Sequence, residues 1–358
     1  MRKLGLLIIM FLLLVSCGHN DNIIILSGHI VKAISENNIL ISGTEYFNNK
    51  HTSTAFLTKI SKNGDIFWTK SFYKSYVMNY FLEKRYISIF LQCFDHLKYI
   101  KMDYNGNIIY EKKFYVIVPT SDCIIKEENC YTVAGIKFIL KIDFNGRLIS
   151  KLNNPIKKLW RFIAKVDNKY ILFAYDDRFA TDDYDFVNIY KNLKLYSINK
   201  DLDILISDND EQSSKIRLLN YAYGNRLIIG DNNEIIYFDN SLNANHVRKT
   251  DNNFQKLLLD KDLEIFIKSN DVLGFGNFVR AYRAESLIWE IFLQGEKVVI
   301  LDGAILDDNI VFVGYKAIKK IDTVHLYGHS SNLYVACYNK SGKLLWKKEV
   351  TPQKLIKY

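Results

Sequence analysis

Short apolar runs alternate with polar turns along most of this chain, and three of the turns read almost the same. An apolar run, an Asn-Gly turn and a second apolar run recur around Gly64, Gly106 and Gly146, which are 42 and 40 residues apart. Asn-Gly suits a tight turn between antiparallel strands, because such a turn needs positive φ. A repeat of this length that contains only short strands is typical of a β-propeller. The pattern therefore predicts an all-β fold with a single β-propeller domain.

The same pattern divides residues 23–350 into seven units of four strands each, called a to d. It predicts strand a of the third unit over Val116–Lys126 and a long b–c connection of the first unit over Thr44–Ser53. Turns between strands c and d in the fourth to sixth units keep polar residues but lose glycine, so six or eight units remain compatible with the sequence. The units start and end in phase with the chain. We therefore expect the ring to close without a strand borrowed from the other terminus, with residues 351–358 as a C-terminal tail.

The N-terminal segment has the layout of an export signal. Arg2 and Lys3 precede an apolar stretch from Leu4 to Val15. This stretch is too short to span the roughly 30 Å hydrocarbon core of a bilayer as a helix. Its length is typical of the apolar region of a signal peptide.

The signal ends in Leu14-Val15-Ser16-Cys17, which resembles the lipobox of bacterial lipoproteins. The resemblance implies removal of residues 1–16, a lipid on the sulfur of Cys17, and a short tether over residues 17–22. Acyl chains would then anchor the mature chain to a membrane. An ordinary secretory signal with an incidental cysteine is the alternative. Gly18 in place of Asp favours the outer membrane, if the cell is Gram-negative.

The strand d segments after Gly64 and Gly342 share the pattern Gly-x-apolar-apolar-Trp-x-Lys. This pattern resembles the quinoprotein-like (PQQ-like) propeller repeats of bacteria, and it implies a fold rather than an activity. The quinone and calcium ligands of that superfamily cannot be placed here, so we predict no cofactor. A lipid-anchored propeller is also similar to the propeller lipoproteins of the outer-membrane β-barrel assembly machinery, which implies a docking role. Four aromatic residues at one equivalent position of strand d are expected to pack between units: Trp68, Tyr110, Trp289 and Trp346.

The formal charge of +9 is spread along the chain. Such a charge fits a soluble surface, an acidic partner or anionic lipid headgroups. Nucleic acid is excluded as a partner if the chain is exported.

Two cysteines flank a predicted hairpin in the third unit. A turn centred on Lys126-Glu127 would place Cys123 opposite Cys130, within the reach of a disulfide. Export would allow oxidation, and two buried free thiols are the alternative. Cys93 and Cys337 lie in units that are not neighbours, so both are expected to be small core residues.

Metal sites and catalytic motifs are weak or absent in the sequence. His325 and His329 form a pair without further ligands, and the acidic residues of 176–185 do not have EF-hand spacing. We therefore predict no metal. The chain has no nucleophile elbow, phosphate-binding loop or zinc-peptidase motif. This favours a non-enzymatic role, although propeller enzymes gather catalytic groups from several blades.

The sequence favours a lipid-anchored propeller that serves as a protein-interaction or envelope-assembly scaffold. A propeller enzyme, or a sensor that binds a glycan or small ligand in the central pocket, is the alternative. Long b–c connections share one face of a propeller, and aromatic residues dominate binding hot spots. We therefore predict a partner surface on this face, with these anchors: Tyr46, Phe47, His51, Arg178, Tyr184, Phe275, Tyr327 and His329.

The lipid anchor gives a direct prediction. A Cys17→Ser variant lacks the sulfur that would receive the lipid, so it should lose palmitate labelling and leave the membrane fraction. A Ser16→Ala variant keeps Cys17 and should stay membrane-bound. Equal membrane retention of the Cys17→Ser variant would contradict a lipid anchor at this residue.

Overall fold

The computed structural model describes the chain in segments that hold all 28 strands of the fold. The described residues are 24–35, 37–47, 52–120, 123–154, 159–166, 169–175, 193–199, 204–207, 219–223, 226–231, 234–238, 244–249, 256–260, 262–268, 277–293, 296–318 and 331–351. The predicted signal peptide, Cys17 and the tether lie outside them.

The strands follow one another without an intervening helix in the described residues. The first sixteen are β1 (Ile24–Ser35), β2 (Asn38–Phe47), β3 (Thr52–Ser61), β4 (Ile66–Tyr73), β5 (Tyr76–Leu82), β6 (Tyr86–Gln92), β7 (Leu97–Asp103), β8 (Ile108–Phe114), β9 (Ile124–Lys126), β10 (Cys130–Ala134), β11 (Phe138–Asp143), β12 (Leu148–Asn153), β13 (Leu159–Val166), β14 (Lys169–Tyr175), β15 (Leu193–Asn199) and β16 (Ile204–Ser207). The other twelve are β17 (Leu219–Tyr223), β18 (Arg226–Asp231), β19 (Glu234–Phe238), β20 (Ala244–Lys249), β21 (Lys256–Asp260), β22 (Leu263–Lys268), β23 (Phe278–Arg283), β24 (Ser286–Phe292), β25 (Val298–Leu306), β26 (Asn309–Ala317), β27 (Ser331–Asn339) and β28 (Leu344–Val350).

These strands form four-stranded antiparallel meanders, which we number units 1 to 7 in chain order. Units 2 to 6 are five separate sheets, while units 7 and 1 join into one eight-stranded sheet through β27 and β1. The first strand of each unit lies at an inner edge, and the inner strands of successive units contact one another around a ring. The all-β propeller prediction is confirmed, and the blade number of seven stays a prediction of the repeat spacing.

The core lies between the faces of neighbouring units. In β2, Ile39 and Ile41 pack against unit 7, whereas Leu40 packs against unit 2. Successive side chains of a strand point to opposite faces, so each unit contributes to two interfaces at once. This explains why β6 is buried at five consecutive positions, of which four are apolar and one is Ser88.

In units 1, 2, 3 and 7, the turn between strands c and d packs against an aromatic ring of the preceding unit. Gly106 of unit 2 lies against the Trp68 ring of unit 1, and Gly342 of unit 7 lies against Trp289 of unit 6. The indole nitrogen Nε1 of Trp68 donates to the Tyr104 carbonyl at 3.1 Å, and Trp289 Nε1 donates to the Lys340 carbonyl at 2.8 Å. The predicted packing of strand d aromatics between units is therefore confirmed.

The turns themselves are held by one side-chain oxygen each. Asp103 Oδ1 accepts hydrogen bonds from the backbone N–H groups two and four residues later, at 2.9 and 2.8 Å. Asp143, Asn339 and Ser61 make the same pair of bonds in their own turns. This local capping fixes the left-handed glycine that the next aromatic ring covers.

The same packing of a glycine turn on a tryptophan ring closes the propeller between units 7 and 1. Gly64 lies against Trp346, whose Nε1 donates to the Lys62 carbonyl, and Lys348 Nζ lies 3.1 Å from Asp65 Oδ1. An apolar cluster that includes Val313 and Ile41 fills this interface. All four strands of each unit come from consecutive sequence, so closure without a borrowed strand is confirmed.

Two predicted boundaries are wrong. Strand a of unit 3 was expected over Val116–Lys126, but β9 begins only at Ile124. Pro119 has no N–H to donate, and the chain turns where the Cys123 N–H meets the Thr120 carbonyl at 3.2 Å. The long loop expected over Thr44–Ser53 is instead largely strand, since β2 continues to Phe47 and pairs there with Thr52.

The described residues contain no helix that is long and apolar enough to cross a membrane.

A Gly342→Ala substitution tests the contact between this turn and the aromatic ring of Trp289. Gly342 has φ +82, and a Cβ there would lie 2.7 Å from Trp289 Cγ. Gly342→Ala combines left-handed strain with overpacking, so it should lower the free energy of unfolding by at least about 2 kcal/mol in urea denaturation. Lys343→Ala, at the exposed neighbour, should change it by less than ~0.5 kcal/mol. Equal midpoints for the two variants would show that the contact is unimportant.

Candidate functional site

Among the described residues, the inner strands have an edge that is unpaired, or that in β1 pairs with β27 only at Ile25. Side chains from neighbouring units satisfy part of that edge. The N–H of Val31 donates to Asp302 Oδ2 at 3.0 Å. The Tyr80 carbonyl accepts from Lys32 Nζ. Asn79 Nδ2 donates to the Ile124 carbonyl at 3.4 Å. Unpaired edge groups cost free energy when they are enclosed, so these bonds stabilise the ring from within.

These contacts form a chain of polar side chains around the axis, which we call the channel belt: Lys256, Asp302, Lys32 and Asn79. Lys256 Nζ of unit 6 lies 3.0 Å from Asp302 Oδ1 of unit 7. Asn79 Oδ1 of unit 2 accepts from Lys32 Nζ of unit 1 at 3.1 Å. Asn79 and Asp302 each directly follow a β-bulge in their strand, and bulges commonly redirect side chains near functional sites.

Lys32 is the most perturbed group of the belt. Its ammonium lies 4.8 Å from the ring centres of both Tyr80 and Phe81. Burial lowers the pKa of Lys32 to about 8, with Asp302 opposing this effect and the positive charges of Lys256 and Lys126 adding to it. His29 lies on the same strand. Protein atoms around its imidazole reduce the hydration of the charged form, and this lowers the pKa of His29 below its ordinary value.

A second set of ion pairs and hydrogen bonds joins units 2, 3 and 4 near the other end of the inner strands. Glu83 accepts from Lys126 Nζ at 2.8 Å and from the Tyr131 hydroxyl at 2.5 Å, both in unit 3. Glu127 accepts from Lys165 Nζ at 2.6 Å and from the Tyr170 hydroxyl at 2.7 Å, both in unit 4. Each glutamate therefore clasps the next unit.

The electrostatics of Glu127 favour this clasp. Burial alone would raise the pKa of Glu127, but hydrogen bonds from Lys165, Thr132 and Tyr170 outweigh it and lower the pKa. Desolvation and the bond to Glu127 raise the pKa of Tyr170, so the phenol stays protonated as the donor. The repeated geometry indicates a structural role.

One face of the ring carries exposed aromatic side chains. Strand ends at Tyr76, Gln92, Leu97 and Phe114 align across unit 2, and the connections beyond them share this face. Five large apolar side chains are exposed on these connections or at the strand ends beside them, and we call them the aromatic rim: Tyr73 (65%), Tyr76 (50%), Phe94 (99%), Tyr115 (78%) and Ile117 (46%).

The backbone beneath the aromatic rim is held in place. Gln92 Nε2 donates to the His96 carbonyl at 3.1 Å, while Gln92 Oε1 accepts from the Val118 N–H at 2.9 Å. The His96 and Tyr115 rings are 6.3 Å apart, and Val116 and Val118 are buried between the exposed residues. The rim is therefore a preorganised surface, which lowers the entropic cost of binding.

Most anchors predicted from the sequence lie elsewhere or outside the described residues. Tyr46 and Phe47 are in β2, which ends on the same face as the rim. Six lie outside the described residues: His51, Arg178, Tyr184, Phe275, Tyr327 and His329. His325 and the acidic segment 176–185 lie outside them too. The aromatic rim was missed because the prediction weighted long loops, and Phe94 lies in a connection of only four residues.

The cysteines differ in part from the prediction. Strands β9 and β10 pair Lys126 with Tyr131 and Ile124 with Val133, so Cys123 and Cys130 lie at opposite ends of this ladder. The register that would set them opposite each other is wrong, and both are free thiols. Cys337 is a buried core residue as expected, whereas Cys93 is only half-buried.

The described residues contain no group of three or more His, Cys, Asp or Glu side chains that could hold a metal ion.

Comparison with known proteins supports the fold. The sequence matches no protein-family model and no curated protein sequence. Among solved structures, the chain is similar to virginiamycin B lyase from Staphylococcus aureus, with 13% identity, a TM-score of 0.55, and 83% of this chain and 93% of that chain covered. It is similar to the Pan2 WD40 domain of Neurospora crassa at 9% identity and a TM-score of 0.53, covering 80% of this chain and 85% of that chain.

A third solved structure is similar in the same way. The β-propeller domain of the Trilobed protease from Pyrococcus furiosus, described as having an open velcro topology, is 10% identical, with a TM-score of 0.51 and 92% of this chain and 98% of that chain covered. At these identities the likeness shows the fold alone, which is a β-propeller.

Proposed function

We propose that this chain is a lipid-anchored, extracytoplasmic propeller that binds a protein partner through the aromatic rim. Its lipid would sit on Cys17, in the cell envelope, and in the outer membrane of a Gram-negative cell. The N-terminal sequence supports the lipid anchor and the location in the cell envelope. The observation that carries the binding role is the rim itself, with Phe94 99% exposed between exposed tyrosines.

The rim has the composition of a protein-binding hot spot. Contiguous exposed apolar surface usually marks an interaction site, and tyrosine is enriched at binding hot spots. Single exposed apolar residues need no such explanation, but here five cluster on adjacent connections of units 1 to 3.

Charge around the rim indicates the chemistry of the partner. Lys74 and Lys113 are exposed beside Tyr73 and Tyr115, and Lys74 Nζ lies 5.4 Å from the Tyr73 ring centre. The exposed carboxylate of Asp95 is bound to His96 Nδ1 at 2.6 Å. The rim therefore fits a protein surface with apolar pockets bordered by acidic side chains.

Substitution of the rim should abolish one specific partnership. The triple variant Tyr73→Ser, Phe94→Ser and Tyr115→Ser changes only exposed side chains, so it should fold normally. Cross-linking and affinity purification from native envelopes should recover one or two stoichiometric proteins with the wild type and lose them with this variant. With the purified partner, the dissociation constant should rise at least tenfold, because each hot-spot aromatic contributes about 2 kcal/mol.

A control variant removes three exposed apolar side chains of strand d that lie outside the rim. Phe67, Ile149 and Leu345 are 55%, 57% and 47% exposed, and their combined replacement by Ser should leave binding unchanged. Equal loss of the partner with both triple variants, or with neither, would contradict docking at the rim. A retained glycan or small molecule with no protein partner would favour the alternative of a ligand sensor.

A further inference from the structure

In the part of the chain that the structure describes, Lys32 forms no ion pair, in contrast to three other lysines on the inner strands of neighbouring units. Lys126, Lys165 and Lys256 lie 2.8, 2.6 and 3.0 Å from Glu83, Glu127 and Asp302. Lys32 Nζ instead donates to two neutral oxygens, Asn79 Oδ1 and the Tyr80 carbonyl. Within the described residues no carboxylate forms an ion pair with it.

An enclosed cation without a counterion is costly. Removing an ammonium from water is unfavourable unless an opposite charge and hydrogen bonds replace the lost hydration. Asp302 compensates the Lys32 charge only in part, because it forms no ion pair with that ammonium: its Oδ2 accepts from the Val31 N–H, and its Oδ1 lies 3.0 Å from Lys256 Nζ. The two aromatic rings beside Lys32 stabilise the charge only in part.

The position of Lys32 allows an anion to reach it. Its ammonium binds the inner-edge carbonyl of β5, where no further strand covers the sheet. Lys32 as a residue is partly rather than fully buried. A third N–H of the ammonium is available for an acceptor, because only two protein oxygens bind this group among the described residues.

We infer that Lys32, supported by Asn79 and Lys256, forms the binding site for a small oxyanion in the central channel. A carboxylate or a phosphate group would supply the missing negative charge and accept from the ammonium. The site is separate from the aromatic rim, so it does not depend on the proposed docking function.

Two probes distinguish the source of the oxyanion. Thermal unfolding of the whole protein at pH 7 is compared in sodium acetate, sodium phosphate and sodium chloride of equal ionic strength. An oxyanion that binds only the folded state raises Tm in a concentration-dependent way. A response to acetate indicates a carboxylate ligand, and a response to phosphate alone indicates a phosphorylated one. No stabilisation beyond that of chloride by either salt would overturn the site.

The lysine is tested with a matched substitution. Lys32→Met keeps the aliphatic stem and removes the charge, so the apparent affinity for the oxyanion should fall at least about 30-fold. Lys165→Met removes an inner-strand lysine that already has an acidic partner, and it should preserve the rise of Tm with the oxyanion. An unchanged response of Lys32→Met would overturn the assignment.

A measurement on the wild type keeps the proposal testable if Lys32→Met fails to fold. The charged groups around Lys32 are Asp302 on β25, Lys256 on β21 and Lys126 on β9, with the Tyr80 ring on β5. A bound oxyanion favours the charged amine, so the pKa of Lys32, about 8 without ligand, should rise in NMR titrations with acetate or phosphate. A pKa equal to that in chloride would contradict the site.

Discussion

Burial of both faces of every sheet is the constraint on which this structure depends. A four-stranded meander with apolar residues on both faces cannot bury them alone, so each unit needs a neighbour on either side. The clusters between units 1 and 2, 6 and 7, and 7 and 1 show this directly. Only a closed ring gives every unit two neighbours, and the aromatic ring over the next glycine turn fixes the spacing between them.

The closed ring creates two candidate binding surfaces. Its inner edges expose backbone groups to the axis, where the channel belt satisfies several of them with charged side chains. Its connection face carries the aromatic rim on a backbone that Gln92 holds. The interior is therefore polar and cationic, whereas the rim is aromatic. Small anions suit the first surface and a protein partner suits the second.

The sequence was informative where local chemistry decides the structure. The Asn-Gly turns and the strand d tryptophans predicted both the fold and the packing between units, because turn geometry demands a left-handed residue at Gly106 and Gly342. Unit 6 has a different, two-residue turn in place of the glycine turn, and there Ala284 and Glu285 both adopt positive φ.

The channel belt and the rim depend on contacts that local patterns do not encode. Lys32 meets Asn79 only because two inner strands 47 residues apart lie side by side. Alternation places Tyr115 and Ile117 outside and Val116 inside, but it does not reveal which face of the ring they share. The predicted register of Cys123 and Cys130 was wrong because Pro119 shortens β9 and the turn lies further along the chain.

Photo-cross-linking from Phe94 tests the central claim, partner docking at the rim, most directly. Benzoylphenylalanine would replace Phe94 in one strain and Phe67, an exposed strand d residue, in another. Irradiation of living cells should give one discrete adduct from position 94 and no equivalent adduct from position 67. The same adduct from both positions, or none from position 94, would contradict a partner surface at the rim.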